Sequence, residues 1–200
     1  MKWNIIGLGN PGSEYECSPH NVGREAVEYF ALKKHDAVFA SQSKAQSLVA
    51  KCTLKTHSVT CILPDTFMNK SGVAGAYFAK TAKDVERSIV IHDDLDLPLG
   101  TIKIGFNRGS GGHKGVESLK RAWKTEAFVR VRIGVSPESK KGDAKKVKGE
   151  EKVINYILKP FKDDAYADMK KVYKKVAEAL DVIILESREK AMTLYNGRVI

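Results

Sequence analysis

Apolar positions along the chain change their period several times, and each change predicts an element. Residues 2–7, with Trp3, Ile5 and Ile6 leading into Gly7, read as a strand. From Asn21 to about position 35, Val22, Ala26, Tyr29 and Phe30 recur at helical spacing, so a helix is expected with Asn21 as its cap. Residues 47–53 and 58–63 are rich in β-formers and joined by Leu54-Lys55-Thr56-His57, the pattern of an antiparallel hairpin. Val73, Tyr77 and Phe78 predict a helix over 71–83. Residues 88–92 make a short apolar strand that ends in the acidic run Asp93-Asp94-Leu95-Asp96.

Residues 101–106 read as a further strand, followed by the loop Arg108-Gly109-Ser110-Gly111-Gly112-His113-Lys114-Gly115 and a helix carrying Val116, Leu119 and Trp123. Over 128–135, Arg130 and Arg132 alternate with Val129, Val131 and Ile133, which predicts a strand with one basic face. Residues 138–152 are nearly all polar or charged and are expected to form a basic, flexible loop. The last forty residues are helical in pattern, with Ala165, Met169, Val172, Val176 and Leu180 on one stripe and Lys170, Lys171, Lys174 and Lys175 elsewhere. No repeat or linker divides the chain. The expected fold is α/β: a single domain over 1–200, with a mixed, twisted sheet flanked by helices and closed by C-terminal helices.

Composition narrows the class. At 200 residues the chain can bury about two-thirds of the surface it exposes unfolded, so a core without staples is feasible. No apolar run approaches the roughly 20 residues needed to span a bilayer, and no signal peptide is expected ahead of the first strand. Cys17, Cys52 and Cys61 are odd in number and lack C-x-x-C spacing, which argues against a disulfide framework or a zinc site. A cytoplasmic location is the expectation. Lys and Arg number 34 against 24 Asp and Glu, a net charge of +10 that makes a nucleic-acid partner plausible.

The stretch GLGNPG at 7–12 fits the dinucleotide pattern G-x-G-x-x-G. That chemistry needs a helix opening inside the glycines, whereas Pro11, Gly12 and Pro19 break this region into a loop. The loop leaves the C-terminal end of the first strand and displays Asn10, Tyr15 and His20. Phe67, Met68 and Asn69, the Asp93 run, and His113 lie at the exits of other elements. Polar groups gathered at several strand exits are the ordinary material of an α/β active site.

These residues carry a family pattern. The chain resembles bacterial-type peptidyl-tRNA hydrolases in GLGNPGSEY (7–15), HNVG (20–23), DTFMNKSG (65–72), HDDLDLPLG (92–100), GSGGHKG (109–115) and RVRIGV (130–135). The motifs keep the family's order and spacing over the first two-thirds of the chain. The resemblance implies hydrolysis of the ester joining a peptide to the terminal ribose of tRNA, with no cofactor or metal. It implies a monomer whose partner is peptidyl-tRNA, with no DNA or membrane.

On that resemblance His20 is the general base, Asp93 its orienting carboxylate, and Asn10 and Asn69 the amides that hold the ester and its oxyanion. Substrate contacts are expected from Tyr15, Phe67, Met68, Gly112, His113 and Lys114, and contacts to tRNA phosphates from Lys103, Arg108 and Arg132. Three positions depart from the family. Ser18-Pro19 stands where Thr-Arg is usual, Lys114 where asparagine is usual, and Gly105 where a basic residue is common. An ammonium at 114 is expected to lower the proton affinity of His20. That sets an alternative beside the hydrolase: a weakened homologue that serves as an RNA-binding protein.

Overall fold

Alternate residues of the central strands face two different layers of helix. The computed structural model describes residues 1–139, 142–145 and 149–200. Its strands are β1 (Lys2–Gly7), β2 (Ala40–Gln42), β3 (Ser47–Leu54), β4 (His57–Pro64), β5 (Ser88–Pro98), β6 (Thr101–Phe106), β7 (Val129–Ser136) and β8 (Gly197–Arg198). They form one mixed sheet in the order β2-β3-β4-β1-β5-β7-β6-β8. The middle four, β4-β1-β5-β7, pair in parallel, and the outer pairs are antiparallel.

The helices are α1 (Val22–Glu28), α2 (Gly72–Phe78), α3 (Ala82–Glu86), α4 (Lys114–Trp123), α5 (Glu150–Leu158), α6 (Asp163–Leu185) and α7 (Arg188–Tyr195). On one face Ile5, Leu63, Ile89, Ile91 and Val131 pack with Val27 of α1 and Val172, Val176 and Leu180 of α6. On the other, Ile6, Ile62 and Val90 pack with Ala74 of α2, Val85 of α3 and Leu119 of α4. Parallel strands covered on both faces read as continuous apolar runs, as these do.

Several elements differ from the sequence reading for identifiable reasons. Asn21 ends a short helical turn over Pro19–Asn21 and makes no capping bond; its side chain holds the backbone of Asn10 instead. After α1 the helix widens into a π-helical turn over Tyr29–Lys34. The helix expected over 71–83 is two, because Thr81 and Asp84 cap each other and start α3 afresh. β5 continues through the acidic run, since Asp93 and Asp94 take ladder positions opposite Ile133 and Gly134 of β7. The basic face of β7 is present, but Arg130 is buried rather than solvated. Of the expected loop at 138–152, positions 140, 141 and 146–148 lie outside the described residues. Elsewhere in it Glu138 bridges to Ala144, and α5 begins at Glu150.

The start of α1 is seated directly on the sheet. The Arg24 N–H donates to Leu8 O (2.9 Å) and the Leu8 N–H to Ile91 O (3.0 Å). A Cβ on Gly23 would lie 2.2 Å from Ile91 O and 2.7 Å from Leu8 O, backbone atoms that cannot turn aside. This contact fixes where the His20 turn emerges above β1 and β5. Gly23→Ala is therefore expected to cost about 1–3 kcal/mol or more of stability, read as a lower urea midpoint at unchanged slope; an unaltered midpoint would show that α1 is free to shift.

Candidate active site

The C-terminal ends of the parallel strands open on a cleft of about 500 Å³. In α/β sheets this is the edge where strand order reverses and ligands bind. Asn10 enters from the loop after β1, His20 from the turn before α1, and Met68 and Asn69 from the helical turn after β4. Asp93 comes from β5 itself, and His113 and Lys114 from the start of α4. Tyr15, Phe67 and Gly112 complete the set, so every residue expected for catalysis or substrate contact lines this one cleft.

At its floor Asp93, only 4% exposed, is shared between two imidazoles. His20 Nδ1 lies 2.9 Å and His113 Nε2 2.8 Å from the same oxygen, Oδ1. The neighbours of each ring assign its protons. His113 Nδ1 accepts the N–H groups of Gly115 (3.2 Å) and Val116 (3.4 Å), so the imidazole caps α4 and its proton sits on Nε2, facing Asp93. His20 donates Nδ1–H to Asp93 and makes no other ring hydrogen bond among the described residues, which leaves Nε2 with a free lone pair. A third ring, His92, donates Nδ1–H to Asp93 O (2.7 Å) and packs 4.7 Å from His113, while its buried Nε2 has no partner.

Charge follows this geometry. Burial opposes ionisation of Asp93, yet the charges and hydrogen bonds of His20 and His113 hold it well below the usual carboxylate range. Burial likewise opposes a charge on His20, but the charge and hydrogen bond of Asp93 raise its proton affinity above that of a free imidazole. Lys114 acts in the expected direction, downward, and is outweighed. His92 is pushed well below the histidine range, first by burial and then by the charges of His113 and Arg130.

The ligand atoms of His20, Asp93 and His113 lie within 4.8 Å of one another, close enough for a small cation. Their present hydrogen bonds do not fit one. Both nitrogens facing Asp93 carry protons, and His113 cannot move its proton to Nδ1, which already accepts two amides.

The two asparagines differ. The Met68 N–H donates to Asn10 Oδ1 (2.9 Å) and the Asn10 N–H to Asn21 Oδ1 (2.9 Å), so Asn10 is fixed and its amide nitrogen remains as a donor. Asn69 is exposed and makes no side-chain hydrogen bond among the described residues.

Lys103, Arg108 and Arg132 lie outside the cleft, in an adjoining groove of about 730 Å³ that shares Asp94 and Gly111 with it. Arg132 pairs with Asp94 through Nε. Arg130 and Arg188 line the same groove and were not foreseen as contacts. Arg130 is 4% exposed with its Nε unpartnered. The Arg188 guanidinium lies 3.6 Å over the Phe106 ring. The alternation in β7 signalled Arg130, but nothing local signals that Arg188 of α7 reaches β6. Asn21 and His92 also belong to the site; both stand inside the quoted motifs but were given no part in it, and the apolar face of α5 lies outside every motif.

Comparison with known proteins supplies the family and the fold. A family model described as peptidyl-tRNA hydrolase matches residues 4–200. A peptidyl-tRNA hydrolase of Hydrogenobaculum sp. is 39% identical over 195 residues, covering 97% of each chain. One of Thermodesulfovibrio yellowstonii is 38% identical over 195 residues, covering 96% of this chain and 97% of the other. The crystal structure of peptidyl-tRNA hydrolase from Acinetobacter baumannii superposes with a TM-score of 0.85 at 26% identity, covering 97% of this chain and 95% of that one.

The imidazoles and carboxylate also set a pH dependence. The folded-state proton affinity of His20 is raised, so its pairing stabilises the fold fully below pH 6.5 and the contribution fades as pH rises through the higher folded value. That of Asp93 is depressed, so its contribution is present above pH 3.8 and is lost as pH falls through its lower folded value. NMR titration of His20 should give a midpoint above 6.5, raised further in Lys114→Asn and lowered in Asp93→Asn. A midpoint that ignores both substitutions would break the electrostatic account.

Proposed function

The chain belongs to the peptidyl-tRNA hydrolase family, and from that premise we propose how its cleft hydrolyses the ester between a peptide and the terminal ribose of tRNA. One observation carries the reading: His20 gives one nitrogen to a buried, ionised Asp93 and keeps the other free on the wall of the cleft.

His20 Nε2 accepts a proton from water as the oxygen attacks the ester carbonyl. Asp93 stabilises the imidazolium that forms and keeps the ring in the tautomer that the reaction needs. The raised proton affinity of His20 suits it to take the proton from water, and the imidazolium then gives that proton to the departing ribose oxygen, which leaves as the hydroxyl. Asn10 Nδ2 and Asn69 donate to the developing oxyanion, Asn10 as a fixed donor and Asn69 as an exposed one that substrate orders. His113 braces Asp93 from the second side and, with Nδ1 turned to the amides of α4, does not compete for the water's proton. Tyr15, Phe67, Met68, Gly112 and Lys114 wall the substrate.

Lys103, Arg108 and Arg132, joined by Arg130 and Arg188, bind tRNA phosphates along the adjoining groove. The excess of positive charge in the groove lining, one lysine and four arginines against Asp94 and Glu189, is the observation that favours an anionic occupant there. No observation favours the alternative of an RNA-binding protein without turnover, since Asp93 outweighs Lys114 at His20.

With N-acetyl-aminoacyl-tRNA and EDTA present, His20→Ala should lower kcat by about 10²–10⁴ or more while tRNA binding persists. Asn10→Ala should lower kcat by about 10²–10³. Turnover that survives the loss of His20 would remove it from the mechanism. Arg132→Ala and Arg188→Ala should each weaken tRNA binding and reduce the slope of log affinity against log salt by about 1; slopes identical to wild type would place the RNA elsewhere.

A further inference from the structure

The cleft has two unlike sides. On the groove side it meets five basic residues across Asp94 and Gly111. On the far side stands α5, none of whose residues is buried. Its apolar residues Val153, Ile154, Ile157 and Leu158 nevertheless fall at i, i+1, i+4 and i+5, one face of a helix, and all four line the cleft rather than either core. Across from them Phe67 is 58% exposed, and Ile154 itself is 38% exposed. The helix is held in place, because the Tyr156 hydroxyl donates to Val135 O (2.6 Å) and α5 packs beside the Pro19–Asn21 turn that carries His20.

An apolar face held open to water beside the reacting atoms is incomplete without an occupant. Nucleotide phosphates are drawn to the basic side, so the acyl group of the ester lies on the α5 side. We propose that Phe67, Val153, Ile154, Ile157 and Leu158 form a side-chain subsite, which makes this protein prefer peptides whose ester-linked residue is large and apolar. The proposal rests on the hydrolase reading above. Asp94, Asp96 and Glu150 also line the cleft and repel an acidic side chain at this position. Because the side chain takes no part in bond breaking, the gain is uniform binding and belongs in KM.

The test uses one tRNA acylated in turn with N-acetyl-glycine, N-acetyl-leucine, N-acetyl-phenylalanine and N-acetyl-aspartate. The leucine and phenylalanine esters should exceed the glycine ester in kcat/KM by about tenfold or more, chiefly through lower KM, with aspartate no better than glycine. In Ile154→Ser and Ile157→Ser the ratio of leucine to glycine should fall several-fold toward one. Hydrolysis of all four esters with equal kcat/KM, or a ratio unmoved in both variants, overturns the subsite while leaving the hydrolase reading intact. No hydrolysis of any ester overturns both.

Discussion

A carboxylate taken out of water and left unpaired would cost several kcal/mol, so a buried Asp93 dictates what surrounds it. It stands on β5, under the join between the two helical layers, and each layer supplies one imidazole. His20 reaches it from the start of α1 and His113 from the start of α4. Removing either would leave an ionised group short of a donor in a poorly solvated place. The site and the fold therefore share one interaction. The two rings are unequal because their far nitrogens differ: that of His113 is spent on the amides of α4, and that of His20 is not.

Meeting at one oxygen requires both helices to approach the sheet closely. Gly23 allows it on the α1 side. On the α4 side a Cβ on Gly115 would stand 2.5 Å from Met68 Sδ and 2.9 Å from Leu8 Cδ1. The first two glycines of GLGNPG belong to the same construction. A Cβ on Gly7 would meet Gly23 O at 2.6 Å, and one on Gly9 would meet Arg24 Cβ at 2.8 Å. They admit a helix to the sheet, so a match to a dinucleotide pattern reflects close helix–strand packing and not a pyrophosphate site.

What the sequence made legible is what periodicity and turn chemistry encode locally. The alternation of Arg130 and Arg132 with valines placed β7, and the 3.6-residue stripe placed α6. Features held by distant partners were not legible. The run Asp93 to Asp96 has poor β propensity and becomes strand only because β7 offers a ladder and Arg132 neutralises Asp94. His113 is an unusual helix cap, recognisable only once Asp93 fixes its tautomer. In α5 an apolar face next to a run of lysines was masked by charge, and it turns toward the cleft rather than a core, so core-seeking reasoning passes over it. β8, two residues long, pairs with β6 only because α6 and α7 return the chain to that edge. The residues of the site were legible as a family pattern; their division into a floor, an apolar wall and a basic groove was not.

Asp93 and Asp94 are successive residues of β5, and side chains of successive strand residues leave on opposite faces. One holds the imidazoles, the other pairs with Arg132 at the edge of the basic groove. On the proposed mechanism, the group that orients the base and the group that steadies a phosphate-binding arginine thus stand about 3.3 Å apart along one hydrogen-bonded strand. The ladder to β7, which sets Asp93 opposite Ile133 and Asp94 opposite Gly134, holds that spacing more tightly than a loop would. Reaction rates fall steeply when reacting groups are misplaced by as little as an ångström, so the precision has catalytic worth. On the same proposal, a tRNA end anchored on the groove is delivered to His20 at a fixed distance whichever peptide it carries. Selection among peptides is then left to the one wall built on a helix with no buried residue, where side chains differ and precision at the ester is not at stake.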